Sequence, residues 1–184
     1  LIYYPLGTLM MCDIKEFLII TTPHDLPHFQ KLLGDGTQWG INIQYKEQSA
    51  PRGIPEALIL GEEFIGNDDV TLILGDNLFY GDLHGFRSAY ADQKNRKDGT
   101  LGRIFAYRVN DPERYGVIEF DKNEKVLSIE EKPQKPKSNY AIPGLYLFDS
   151  SAVPRAKNIK PSARGETEIV ELIKSFLPRG IWKL

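Results

Sequence analysis

Cysteine is nearly absent: the 184 residues contain one, Cys12. That excludes an internal disulfide framework and a cysteine-rich zinc site. Sitting in an apolar row with Met10 and Met11, Cys12 reads as a small buried hydrophobe. Charge of one sign is missing too. Lys and Arg number 23 against 25 Asp and Glu, a net charge of -2, so nothing basic points to nucleic acid and no acidic tail is present. No apolar run reaches the roughly 18 residues a membrane span needs. No leader peptide is visible, which makes a soluble cytoplasmic protein the default expectation. The three histidines, His24, His28 and His84, lack metal-ligand spacing. His24 and His28 could share a helix face, but no HExxH pattern joins them, and all three read as surface residues. GxSxG, GxGxxG and the Walker A pattern are absent. The chain opens at Leu1 without Met and closes on the apolar run Ile181-Trp182-Lys183-Leu184. Both ends look cut, so a piece of a longer protein is expected.

What is present is globular. Hydrophobic residues make up 41% and charged residues 26%, against disorder. A chain of this length buries roughly 70% of its unfolded surface, enough for a core without cross-links. Residues 1–184 read as a single, partial domain. Apolar spacing predicts a helix over 2–12, with Pro5 tolerated in its first turn. A buried strand of the parallel-sheet kind follows over 17–21. A helix over 24–33 stops at Gly34, and 41–45 alternates as a second strand. After a Pro/Gly loop, a helix over 55–65 leads to a third buried strand at 70–74. This strand–helix alternation is the pattern of an α/β, doubly wound, mostly parallel mixed sheet. Beyond a helix at 84–95 and an exposed connection at 94–102, strands are expected over 103–109, 115–120, 125–131 and 140–148. The pair 115–120 and 125–131 reads as a hairpin. Pro143-Gly144 inside the last of these strands marks an edge or bulge. Helices at 151–157 and 166–177 follow.

In such sheets ligands bind beyond the carboxyl ends of the strands. Asp76 stands there, between Gly75 and Asn77, and suits a hard cation such as Mg²⁺, which takes one or two carboxylates plus substrate phosphates. The alternative is an Asp capping its own turn. Glu131 and Lys132 end a strand and could bind sugar hydroxyls and a phosphate, or form an exposed ion pair of small worth. The loop from Gln48 to Gly53 could bring backbone groups against a flat ligand, or be an ordinary turn. Arg164 could hold a phosphate bidentately, or pair with the glutamates of Glu166-Thr167-Glu168.

The wording of the chain goes further. Ile2-Tyr3-Tyr4-Pro5-Leu6, Leu32-Leu33-Gly34-Asp35-Gly36, Gln38-Trp39-Gly40 and Leu74-Gly75-Asp76-Asn77 occur in order. Asn110 to Val117, Glu130-Glu131-Lys132-Pro133, Pro136 to Ala141 and Lys160 to Glu166 follow. Over essentially its whole length the chain resembles the glucose-1-phosphate thymidylyltransferases of the sugar nucleotidyltransferase family. The resemblance implies a Rossmann-like nucleotidyltransferase fold and transfer from dTTP to glucose 1-phosphate, giving dTDP-glucose for rhamnose synthesis. It also implies Mg²⁺ as cofactor, a homotetramer, and neither nucleic acid nor membrane as partner. By motif, Gln48, Pro51 and Gly53 match the loop reading the thymine edge. Asp76 matches a nucleotide- and Mg²⁺-binding Asp. Asn77, Gly116 and Glu131 match positions on the glucose ring, and Ile142 a backbone contact to the sugar. Lys132 and Arg164 match the residues at the sugar phosphate, where they would carry the catalytic role.

Some family motifs have no match here. The G-x-G-x-x-T-R-L phosphate loop, its following Lys and a second metal-binding Asp in L-D-T-G are not found. The fold is therefore expected to lack its first strand and phosphate loop, leaving a gap in the sheet, and the isolated chain is expected to turn over poorly. Arg52 and Glu56 stand in the base loop where the family shows Asp and Gln. The alternatives are a non-catalytic remnant or binding module, and an enzyme using another nucleotide such as UTP or CTP.

Overall fold

The computed structural model describes residues 1–81, 83–95, 102–123, 125–176 and 181–183. The N-terminal strand–helix–strand unit forms as expected. Helix α1 (Tyr3–Met10) buries Leu6 and Leu9. Strand β1 (Glu16–Thr21) runs through helix α2 (Leu26–Leu33) into strand β2 (Asn42–Glu47), and β1 and β2 pair in parallel with Phe17 opposite Ile43. Parallel pairing needs a crossover, and α2 supplies it. The chain leaves α2 at Gly34, whose positive φ of 59° suits glycine. Tyr45 Oη donates to Gly34 O at 2.6 Å, tying the end of α2 to β2.

The helix expected over 55–65 is two, α3 (Pro55–Leu60) and α4 (Glu62–Ile65), parted at Gly61. A Cβ at Gly61 would sit 3.2 Å from Leu18 Cδ2, so the glycine lets α3 approach β1 closely. Strand β3 (Val70–Ile73) and helix α5 (His84–Lys94) follow. Then come β4 (Gly102–Arg108), β5 (Gly116–Phe120) and β6 (Val126–Glu131). The strand expected over 140–148 is broken at Ile142-Pro143-Gly144 into β7 (Tyr140–Ala141) and β8 (Leu145–Phe148). Helices α6 (Ala152–Lys157) and α7 (Ile169–Phe176) precede a short strand β9 (Ile181–Lys183) not expected from sequence. The exposed connection expected at 94–102 lies mostly outside the described residues.

A mostly parallel sheet is not what forms. The order β3-β8-β4-β7-β5-β6 is antiparallel at every step, and among the described residues only β1·β2 and β4·β9 pair in parallel. The α/β class stands. The run at 17–21, expected as a strand of the parallel-sheet kind, does pair in parallel with β2, whereas the strands from β3 onward join the larger sheet mostly antiparallel, because an apolar run reports burial on both faces and not direction. Leu145 and Leu147 of β8 face a core with Leu6, Leu33, Phe86 and Phe105, while Tyr146 and Phe148 face another with Leu58, Ile118, Leu172 and Phe176. Each fully buried Leu or Phe contributes about 1.5–3 kcal/mol. The hairpin of β5 and β6 forms as expected, with Gly116 opposite Glu131.

Among the described residues β1 pairs only with β2, and β3 only with β8, so two sheets stand where one was expected. A cavity of about 670 Å³ is lined by residues 16–20 of β1 and by all of β3. Among the described residues no helix is long and apolar enough to cross a membrane.

Candidate active site

A second cavity, of about 410 Å³, opens beyond the carboxyl ends of β1 and β3. Gln48, Pro51, Gly53, Glu131, Lys132 and Arg164 line it. Six residues singled out from sequence, from three separate segments, thus meet in one place. Asp76, Asn77, Gly116 and Ile142 do not line this cavity. They adjoin it through Gly75, Glu131 and the β7–β8 break.

One wall is the loop after β2. Gln48 N–H donates to Thr21 O at 2.8 Å, extending the parallel ladder one residue past β2. Its side-chain Nε2 donates to Glu56 Oε2 at 2.6 Å and lies 3.5 Å from Gly53 O. Glu56 Oε1 accepts from Arg52 Nε at 2.6 Å. Partial burial pushes the Glu56 carboxyl up, but the bonds from Gln48 and Arg52 outweigh it and hold the group below its ordinary value. Gly53 has φ 108°, and a Cβ there would lie 2.0 Å from Thr167 O. Thr167 N–H and Oγ1 each donate to Arg52 O at 2.9 Å. The base-side loop is therefore pinned to the segment before α7.

The other wall is built on the β5–β6 hairpin. Cross-strand pairing sets Gly116 against Glu131, and a Cβ at Gly116 would come 3.5 Å from Glu131 Oε2 and 3.1 Å from Val170 Cγ2. Ile142 N–H donates to Gly116 O at 2.8 Å, which places the buried Ile142 beside that pair. Lys132 adopts φ 42°, a left-handed conformation costing a non-glycine residue about 1–2 kcal/mol. Its N–H bond to Tyr115 O at 2.9 Å holds it there. Strained non-glycine backbone of this kind concentrates at functional sites.

Charges converge on this wall. Lys132 Nζ lies 4.0 Å and a terminal nitrogen of Arg164 3.8 Å from Glu131 Oε1. Burial, and then the nearby Glu168 carboxylate, raise the Glu131 carboxyl above its ordinary range despite both cations. Tyr146, buried close to Glu131, has its phenol pushed up by burial and then by that carboxylate. Arg164 forks onto Glu168, with its Nη2 at 2.9 and 2.8 Å from the two carboxylate oxygens. The pairing alternative read for Arg164 is realised, with Glu168. Ser162 Oγ also donates to Glu168 at 2.7 Å. Burial raises the Glu168 carboxyl, but the bonds from Ser162 and Arg164 outweigh it and hold the group low.

Asp76 lies exposed, three residues past β3. Its Oδ1 accepts from Asn77 Nδ2 at 2.8 Å, and Asn77 Oδ1 accepts from Gly144 N at 3.0 Å. Asn77 thus staples the Asp76 loop to the β7–β8 break. One exposed carboxylate with a free oxygen fits a Mg²⁺ shared with substrate phosphates, and does not make an all-protein cage. Among the described residues, metal-ligating side chains gather elsewhere, at exposed His24 and His28 and half-buried Asp25. The two imidazole rings lie 5.7 Å apart, in keeping with the shared face read from their spacing.

Sequence reasoning did not single out Thr167 or Tyr146, and named Glu168 only as one of the glutamates with which Arg164 could pair. The Glu166-Thr167-Glu168 run was visible, but as a helix start. The helix in fact begins at Ile169, which leaves those residues extended along the cavity.

A family model described as Nucleotidyl transferase matches residues 1–182. A glucose-1-phosphate thymidylyltransferase of Neisseria gonorrhoeae is 52% identical over 180 residues, covering 98% of this chain and 61% of the relative. One from Xanthomonas campestris is 49% identical, with 98% and 60% covered. The chain thus spans about 61% of the length of such relatives. A solved structure from Bacillus anthracis, described as a glucose-1-phosphate thymidylyltransferase with sucrose, superimposes with a TM-score of 0.88. It is 38% identical and is covered over 72% of its chain, with 100% of this one.

Proposed function

Because the chain belongs to the nucleotidyl transferase family, we propose that the protein transfers a thymidylyl group from dTTP to glucose 1-phosphate. The products are dTDP-glucose and pyrophosphate. The observation that carries this reading is the shared cavity. The loop from Gln48 to Gly53 faces one side, and Glu131, Lys132 and Arg164 face the other.

In this reading Gln48, Pro51 and Gly53 take the base. Glu131, Gly116, Asn77 and the Ile142 backbone take the glucose ring. Lys132 and Arg164 take its phosphate. An oxygen of that phosphate attacks the α-phosphorus of dTTP. One P–O bond forms as the bond to pyrophosphate breaks. The nucleophile is already anionic, so no general base is required. The difficulty is bringing two anions together, and the two cations offset their repulsion while aligning attack. Arg164 must be shared with Glu168 or released from it on binding. Mg²⁺, held by Asp76 jointly with the triphosphate, would neutralise charge at the α-phosphate. Residues 1–184 act here as one nucleotidyltransferase domain, and a cytoplasmic homotetramer accords with the same reading.

The test is pyrophosphate release by the protein with Mg²⁺ and glucose 1-phosphate, supplied with dTTP, UTP or CTP. Release that depends on glucose 1-phosphate and is fastest with dTTP is expected. Fastest release with UTP or CTP would transfer the reading to another nucleotide, with Arg52 and Glu56 the first residues to question. A folded protein that binds neither substrate would overturn it.

A further inference from the structure

We propose that His24, Asp25 and His28 form a second cation site, one that takes a late first-row divalent ion of the Zn²⁺ type. It stands at the start of α2, apart from Asp76, and none of its three residues lines the cavity of the proposed transfer.

Two successive turns of the backbone set the three side chains together. Asp25 N–H and Leu26 N–H both donate to Thr22 O, at 3.1 and 3.0 Å. His28 N–H and Phe29 N–H both donate to Asp25 O, at 3.0 and 3.1 Å. His24 and His28 therefore stand one helical turn apart on the same side. Each histidine follows a proline by one residue, Pro23 and Pro27, whose rings fix φ there. Pro27 lies in the first turn of α2, where its missing N–H costs nothing. Asp25 is the N-cap residue, and its Oδ2 accepts from Thr22 Oγ1 at 2.7 Å. That bond turns Oδ1 toward His24 Nδ1, 3.1 Å away. One ligand atom from each of the three residues lies within 4.8 Å of the other two.

The spacing suits a small ion. Nitrogen and oxygen ligands about 2.1 Å from a tetrahedral centre stand roughly 3.4 Å from one another. His24 and Asp25 are already near that separation, and His28, exposed, closes the rest by a side-chain rotation. The donor set decides the class of ion. Two imidazoles with one carboxylate suit zinc, copper and nickel, whereas Mg²⁺ prefers oxygen throughout. Binding exchanges the proton shared by His24 Nδ1 and Asp25 Oδ1 for the ion, and that proton leaves to solvent. Three protein ligands leave one position open to water or an anion. The ion would tie the turn at 22–25 to the first turn of α2. That turn follows directly on Thr21, whose carbonyl accepts from Gln48 N–H, so the site sits behind the loop that forms one cavity wall.

The test titrates the untagged protein with Zn²⁺ in excess Mg²⁺ by isothermal calorimetry. Wild type is compared with His24→Gln, His28→Gln and Asp25→Asn, and with His84→Gln as the control. Asn caps a helix as well as Asp does, so Asp25→Asn removes the charged ligand and keeps the cap. Wild type should bind one Zn²⁺ per chain. Each of the first three substitutions should weaken binding by about tenfold or more, the loss usual even for partners one step further from a metal. His84→Gln should bind as wild type does. None of these side chains lies in the core, so all variants should melt with wild type when no metal is added. Cu²⁺ serves as a second probe, its paramagnetic resonance reporting two nitrogen donors in wild type and one in either His24→Gln or His28→Gln. Zn²⁺ binding that Mg²⁺ abolishes overturns the inference. So does binding unchanged in His24→Gln and His28→Gln, or weakened as much in His84→Gln. Each of these results leaves the proposed transfer standing.

Discussion

Gly53→Ala is the sharpest probe of how the base-side wall is held. The added methyl would lie 2.0 Å from the Thr167 carbonyl oxygen and 2.8 Å from its Oγ1, at a residue with φ 108°. Neither neighbour is a flexible side-chain end, so something must move. Keeping the loop in place would combine a hard clash with backbone strain of about 1–3 kcal/mol. Releasing it gives up the two bonds from Thr167 to Arg52 O, each worth about 1 kcal/mol. Release is the cheaper route, so the loss of stability should level off near 2 kcal/mol. For a chain of this size that is a fall in melting temperature of about 4–8 °C. Calorimetry would read the fall, and hydrogen exchange would show the Thr167 amide losing its protection. Binding of dTTP should weaken with it, since Gln48 and Pro51 share the loop. Unchanged melting with Thr167 still protected would refute the clash. A loss well above about 5 kcal/mol would show strain passed into the core, and the release argument would fail.

Other outcomes follow from the opposite wall. Lys132→Ala should raise the KM for glucose 1-phosphate by about tenfold, with a smaller effect on dTTP; equal effects in steady-state assays would remove Lys132 from the sugar phosphate. Asp76→Asn should cost about a hundredfold or more in kcat, and turnover near wild type at limiting Mg²⁺ would rule out its metal role. Glu131→Gln should raise thermal stability at neutral pH while weakening glucose 1-phosphate binding. The Glu131 carboxyl is raised in the folded state, so its ionisation opposes folding above the folded pKa. That penalty fades as pH falls, and below the ordinary carboxylate value the variant and wild type should melt alike. A stability gain that persists in acid would show that charge burial is not its cause.

Much of the local structure was legible from residue order. The 3.6-residue spacing of Leu6 and Leu9, the stop at Gly34 and the hairpin of β5 and β6 are local events, governed by neighbours in the chain. The strand expected over 140–148 was less complete, since its direction was not legible and its break at 142–144 was read only as an edge or bulge. Its apolar run requires cover on both faces, which the structure supplies, but carries no information on strand direction. Direction depends on how the chain returns to the sheet, and only tertiary pairing decides that. The same division holds at the site. The residue types of Gln48, Asp76, Glu131, Lys132 and Arg164 suggest their chemistry, and the segments that carry them could be picked out singly. That three of these segments line one cavity, with the Asp76 loop beside it, is a property of the fold. So is the pairing of Arg164 with Glu168, and so is the bond from the Gln48 amide to Glu56. Hydrogen bonds and ion pairs act over a few ångströms, while these residues stand apart in the chain or across a turn whose shape depends on Thr167. Sequence by itself determined which groups were available. Which groups meet and which charge is desolvated were decided only when packing brought the walls together.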